Sequence, residues 1–308
     1  MTEGGGRRFA ASSAALWLFA CATTGSPPEG QTEAPRPLLW EVRSDEGPGT
    51  VYLLGSVHVG PRTESRLTPD VAAAVDAAST VVLEARTPGF LESVWLLAQL
   101  GTLPDDRRLS EVVAPETWKQ LEPRLAQLGL PRFVVERLAP WTVSMLLMAT
   151  QLDAQGYSDR TGIDRLVQSR AAARDKRLRY METAESQLRL FADLSLELQE
   201  RMLSEQLRTD PSESFDDLER AYRNGDLDAL QALLVGEFEG YPELKERILD
   251  DRNLHFADFT ARLLEKPSVS LVVAGAGHMV GPTGLPALLR QRGARVRRLG
   301  ARELTGSR

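Results

Sequence analysis

The sequence is poor in the residues that most readily disclose chemistry. A single cysteine, Cys21, stands among 308 residues, so no intrachain disulfide can form. Only three histidines occur, His58, His255 and His278, and aromatic residues make up just 6%. The formal charge of −6 supplies no basic field to follow a phosphate backbone, which argues against a nucleic-acid partner. No apolar run reaches the roughly 20 residues that a membrane-spanning helix requires. The H-E-x-x-H, G-x-S-x-G, Walker and G-x-G-x-x-G patterns are missing, which removes the usual zincin, nucleophile-elbow, P-loop and dinucleotide chemistries. What remains is ordinary globular composition, 42% hydrophobic and 26% charged, sufficient for a sizeable core.

The amino terminus reads apart from the rest. In "GGGRRFAASSAALWLFAC", Arg7 and Arg8 precede a short apolar run that ends at Cys21, the architecture of an export signal over residues 1–21. Leu18, Phe19, Ala20 and Cys21 resemble a bacterial lipobox, with Phe19 bulkier than the pattern prefers, so Cys21 is the expected lipidation site. An ordinary cleaved signal, with Cys21 incidental, is the alternative. Residues 22–37, rich in Pro, Gly and Thr, read as a flexible tether. The expected location is therefore outside the cytoplasm, periplasmic or at the cell surface, membrane-anchored through Cys21. That assignment spends the only cysteine and excludes cysteine-nucleophile chemistry.

From residue 38 the pattern predicts one folded unit to about residue 300. "LLWEVRSDEGPGTVYLLGSVH" reads as a hairpin, and "LTPDVAAAVDAASTVVLEA" as a helix capped by Thr68 that leads into a strand ending at Glu84. Residues 90–155 switch to helical periods, a helical insertion in which the apolar stretch 141–152 is a buried helix. "GIDRLVQSRAAARDKRLRYMET" restores helix and strand, ending at Glu182. The charged helices between residues 193 and 249 read as solvated surfaces with i,i+4 pairs and no chemistry. The chain closes with a helix over "DDRNLHFADFTARLLEK", a strand over residues 268–274, the helix "GLPALLRQRG" and a basic strand, "ARVRRLG". The expected class is α/β (α+β), a central mixed sheet built from two related halves with the helical insertion.

"YLLGSVHVG" and "VVAGAGHMVG" share one device, an apolar strand running into Gly-x-x-His. Glycines Gly55 and Gly275 allow close approach of backbone or ligand, and His58 and His278 would point into the crevice at the strand ends. Either histidine alone reads equally well as a hydrogen-bonded core residue; the repetition points to one shared polar site, with a metal or a water as common partner. His58, His278 and Glu84 would form a two-His, one-carboxylate set suited to Zn, Mn or Co, with Glu182 as base or as a group orienting the ligands. The plainer alternative makes both glutamates exposed strand-end acids. Asp164 is a substrate-site or helix-capping candidate, and Arg252 and Asn253 are supporting candidates. His255 lacks the strand-Gly approach and reads as structural or exposed.

The motifs "LWEV", "VYLLGSVHVG", "VVLEA", "GIDRLV", "METAESQLRLF", "DDRN" and "VVAGAGHMVGPTGLPALLRQRGARV", in that order over residues 38–299, resemble the TraB/PrgY/GumN group. That group is related to the Tiki proteins and more remotely to erythromycin-esterase and ChaN-like folds. The resemblance implies a mixed sheet with a helical insertion and an active centre at the paired Gly-x-x-His motifs. It implies His58, Glu84 and His278 as centre residues, supported by Glu182, Arg252 and Asn253. Gly55, Ser56, Asp164 and Gly275 are the expected substrate-facing residues. Ser56 stands where the group often has threonine. The leading expectation is an exported metal-dependent hydrolase, most readily a peptidase, acting on a peptide or small molecule. The alternatives are a metal-free His/Glu hydrolase and a non-catalytic, sequestering binding protein.

Overall fold

The computed structural model describes residues 37–63, 66–208, 211–300 and 303–304. The expected export signal, Cys21 and the expected tether up to residue 36 lie outside the described residues. No helix among those described is long and apolar enough to cross a membrane.

Among the described residues eight strands form: β1 (Leu39–Arg43), β2 (Thr50–Ser56), β3 (Gly60–Pro61), β4 (Thr80–Leu83), β5 (Tyr157–Ser158), β6 (Arg177–Tyr180), β7 (Val269–Gly275) and β8 (Arg295–Arg298). Six of them make one mixed sheet in the order β6-β4-β7-β2-β1-β8, and β3 pairs with β5 in a small second sheet. Strands β6, β4, β7 and β2 run parallel, whereas β1 is antiparallel to both β2 and β8. The expected hairpin is thus the β1–β2 pair.

Chemistry along each strand explains its place. The central strands β2 and β7, "TVYLLGS" and "VSLVVAG", are buried at every position after the first, as strands covered on both faces must be. The edge strands "RLRY" and "RVRR" alternate exposed arginines with half-buried residues, and this charge discourages pairing with another chain. Val51, Leu53, Val272 and Ala274 face one side, against Phe256 of the helix Asp251–Leu264 and the helix Leu285–Gln291. Leu54, Val81, Leu271 and Val273 face the other, against the helices Pro69–Ala77 and Ile163–Ala173. Each such aliphatic side chain contributes about 1.5–3 kcal/mol by leaving water.

Residues 90–154 contain only helices, and the apolar helix Pro140–Ala154 is buried along most of its length. Its lobe is larger than the insertion alone, because helices Ala184–Ala192 and Leu196–Arg208 complete the same core. Trp141 stacks on Phe191 with ring centroids 6.3 Å apart. Here the reading of the charged helices as solvated surfaces is corrected. Gln199, Met202, Leu203, Gln206 and Leu207 are buried at i, i+3, i+4, i+7 and i+8, one helical stripe. Two of its five positions are glutamines, which hid the period; Gln206 donates to the Ser144 carbonyl at 3.1 Å and so sits in the core without an unmet amide.

Candidate active site

Parallel pairing of β2 with β7 places the two Gly-x-x-His motifs side by side. The register sets Gly55 opposite Ala274 and Ser56 opposite Gly275, so both strands end at the same edge of the sheet. On the other flank of β7 lies β4, with Glu84 directly after its last residue. The motifs nonetheless diverge after their glycines. His58 sits in a loop with its side chain 22% exposed, whereas His278 rides a 3-10 turn, Ala276–Met279, and is 4% exposed.

His278 is the locked member of the pair. Its Nδ1 lies 2.7 Å from Asn253 Oδ1, and the Asn253 amide nitrogen donates to the Thr283 carbonyl at 2.9 Å. That direction makes Nδ1 the protonated nitrogen and leaves Nε2 to accept from Arg252 Nη1 at 3.0 Å. Burial, then the Arg252 charge, press the imidazole pKa down from 6.5 to about 3, so it is neutral across the physiological range. Phe256 closes the face of the ring at 5.2 Å.

Arg252 is the hub beneath it. Nε and Nη2 donate to Glu182 at 2.8 and 2.9 Å, Nη2 also to Glu84 at 2.7 Å, and Nη1 to His278 Nε2 and the Ile248 carbonyl, both at 3.0 Å. A guanidinium has five N–H groups, and here each has an acceptor. Glu84 is saturated in turn by the Gly275 amide at 2.6 Å and the Gln187 side chain at 3.1 Å. Burial alone would raise the Glu84 pKa, but Arg252 with the two histidines and the Gly275 amide overcome it and hold the carboxyl at about 2.

His58 has the opposite environment. Asp164 Oδ2 stands 2.9 Å from His58 Nδ1 as an ion-pair contact, while Asp164 Oδ1 accepts from the Ser56 hydroxyl at 2.7 Å. Burial would lower the His58 pKa, yet the Asp164 charge and contact, with Glu84 farther off, raise it above 6.5. Asp164 does not cap its helix. Gly162 is the N-cap residue, and the carboxylate is turned instead to the β2 end. The segment bearing it is held against the His58 loop by Ile163 N donating to the Val57 carbonyl at 2.9 Å and Thr161 Oγ1 donating to the Gly60 carbonyl at 2.7 Å. A Cβ on Gly162 would run into the His58 carbonyl, so the close approach depends on glycine.

The structure therefore brings together nearly every residue singled out in the sequence, in two connected groups: Ser56, Asp164 and His58, and Glu84, Glu182, Arg252, Asn253 and His278. Gly275 contributes its amide to Glu84, and Gly55 its tight packing on Leu38 and Met279. His255 is apart and exposed, its Nε2 3.1 Å from the Met181 carbonyl. Three contributors were not singled out in the sequence. Gly162 and Gln187 lie inside the motifs "GIDRLV" and "METAESQLRLF" without a role of their own, and Tyr222 lies on a helix read as charged surface. Tyr222 donates to the Gly55 carbonyl at 2.8 Å, and burial with nearby Asp164 raises its pKa.

The donor geometry tests the metal that the resemblance implies. Two of the three expected ligands, Glu84 Oε2 and His278 Nε2, are directed at the same guanidinium, and among the described residues no group of three or more His, Cys, Asp or Glu side chains has the spacing to hold an ion. As arranged, these side chains fit a bound cationic side chain and do not fit a divalent ion, since an ion there would lie against Arg252.

Neither among curated proteins nor among solved structures does any match this chain. A family match does cover residues 38–298, the whole sheet and the helical lobe with both histidine motifs, and by it the chain belongs to the TraB/PrgY/gumN family.

Proposed function

We propose that the chain is a hydrolase in which His58, held by Asp164, activates water directly. The observation that carries this reading is the asymmetry between the two histidines: His278 is neutral and fully engaged, whereas His58 faces a carboxylate and lines a cavity. A carboxylate at Nδ1 orients the imidazole and stabilises its charged form, so proton exchange falls to Nε2. Nε2 takes a proton from water as the oxygen adds to a substrate carbonyl, and the imidazolium returns that proton to the leaving group as the carbonyl–leaving-group bond breaks. Arg252, with all five N–H groups engaged, acts as a positioning residue that holds the carboxylates of Glu84 and Glu182 beneath the site. The natural substrate class is a peptide or small acyl compound.

The test is hydrolysis of acyl esters and short peptides before and after exhaustive chelation, in the wild type and in His58→Ala and Asp164→Asn variants. Turnover that survives chelation and is lost in both variants supports the reading. Turnover that requires Mn, Co or Zn would instead support the metal-dependent peptidase, with Arg252 withdrawing from Glu84 and His278. Tight ligand capture without turnover under all conditions would support a sequestering protein. For location, we propose export and membrane anchoring through Cys21, on the strength of residues 7–21. A Cys21→Ser variant that leaves the membrane fraction, with a lipid mass absent from its N-terminal peptide, is the expected result.

A further inference from the structure

The cavity that His58 borders does not extend to Glu84, Arg252 or His278; it opens on the other side of the β2 end. It encloses about 290 Å³, at the small end of ligand pockets, between the His58 loop, the helices Pro69–Ala77 and Ile163–Ala173 and the helix Pro211–Asn224. Its walls are mainly apolar, with Val59, Val71, Ile163, Leu166, Phe215 and Leu218. Walls of this kind offer dispersion contacts to an apolar occupant.

The charged groups of the wall are distributed unevenly. Glu219 accepts from Tyr157 at 2.6 Å and from Arg223 Nε at 2.8 Å, so those three groups neutralise one another. Arg66 is exposed at the rim and has no ion-pair partner among the described residues. Apart from the histidine, the lining thus holds one cation in excess. We infer that this pocket is the substrate subsite beside His58, and that it takes an amphipathic monoanion: a small apolar group bearing a carboxylate that meets Arg66. A short fatty acid, the product of acyl-ester hydrolysis, and the apolar C-terminal residue of a peptide both present this chemistry. The inference deepens the hydrolase reading, but its test uses binding alone, so either can fail without the other.

Calorimetric titration of the whole chain with octanoate and with acetyl-alanyl-leucine, each beside its neutral amide, separates the possibilities. The acids are expected to bind at least three-fold more tightly than their amides, the scale of an exposed charge pair. Arg66→Gln should abolish the preference while both still bind, and Leu218→Trp, which fills the cavity, should weaken every probe more than ten-fold. Whichever acid binds more tightly assigns the source as acyl or peptide. Equal affinity for acid and amide, or no binding of any probe at about 10 mM, a decade weaker than a millimolar site, would overturn the inference. A urea melt of each variant guards against misfolding: if Leu218→Trp does not fold, the Arg66→Gln comparison alone decides.

Discussion

Replacing Arg252 by leucine removes five N–H donors from a closed site and leaves Glu84 and Glu182 facing each other's charge without a cation. Breaking a buried pair by deleting one partner typically costs about 3–5 kcal/mol, and Glu84 with its 6% exposed side chain belongs in that range. The pH dependence makes the argument more specific. In the wild type the folded-state pKa of Glu84, about 2, is below its ordinary 4.5, so its stabilisation is complete above 4.5. About 3 kcal/mol of it is lost as pH falls through the window from 4.5 to 2. Without Arg252 the remaining dominant influence on Glu84 is burial, which raises a carboxyl pKa. The folded variant would then bind a proton more readily than the unfolded chain, and acidification would stabilise it. Urea unfolding at pH 8, 7, 6 and 5 should therefore show a deficit that is largest at pH 8 and shrinks toward pH 5. Adding Glu84→Gln should recover part of the loss. A deficit below about 1 kcal/mol, or one independent of pH, would refute the account of Arg252 as a saturated hub.

Other expected outcomes follow from the same geometry. Asp164→Asn removes the charge that raises the His58 pKa, so the alkaline-favoured activity limb should shift to lower pH while maximal turnover falls about 10²–10⁴-fold, measured as a pH–rate profile. Acidification of the wild type should destabilise it from about pH 6.5 downward, because the unfolded chain protonates His278 there and the folded one does so only near 3; urea melts in that window should show a loss reaching a few kcal/mol. Tyr222→Phe strips a partner from the Gly55 carbonyl and should cost about 1–2 kcal/mol in unfolding free energy. Gly162→Ala forces the Asp164 segment away from the His58 carbonyl, and should lower activity more than Gly55→Ala, whose new Cβ meets only the side chains of Leu38 and Met279 at 3.0–3.1 Å.

The sequence made much of this molecule legible because its signals were strong and local. Continuous apolar runs located β2 and β7, and Thr68 followed by Pro69 located the start of a helix to the residue. The repeated Gly-x-x-His pointed to the strand ends where the candidate cluster lies, since parallel pairing of the two strands in register brings repeated motifs together without further information. What stayed hidden depends on contacts between distant segments. That Arg252 saturates Glu84 and Glu182 follows from how a helix near the C-terminus crosses the ends of β4 and β6, and no spacing rule encodes it. The unequal fates of the two histidines have the same origin: one lies beside Asn253 and Arg252, the other beside Asp164, on different sides of the sheet edge. Tyr222 was missed because its helix carries charges enough to look like surface while its buried face closes the cavity.

With only three histidines, the central claim can be tested without knowing the substrate. An NMR titration of the imidazole nitrogens and carbons, assigned with single His variants, reads all three at once. The account predicts that His58 titrates above 6.5 and falls in Asp164→Asn, that His278 holds its Nδ1–H tautomer unprotonated down to about pH 3, and that added Zn leaves the His278 signals in place. A His278 that titrates near 6.5, or whose Nε2 shifts on stoichiometric binding of the ion, would contradict it.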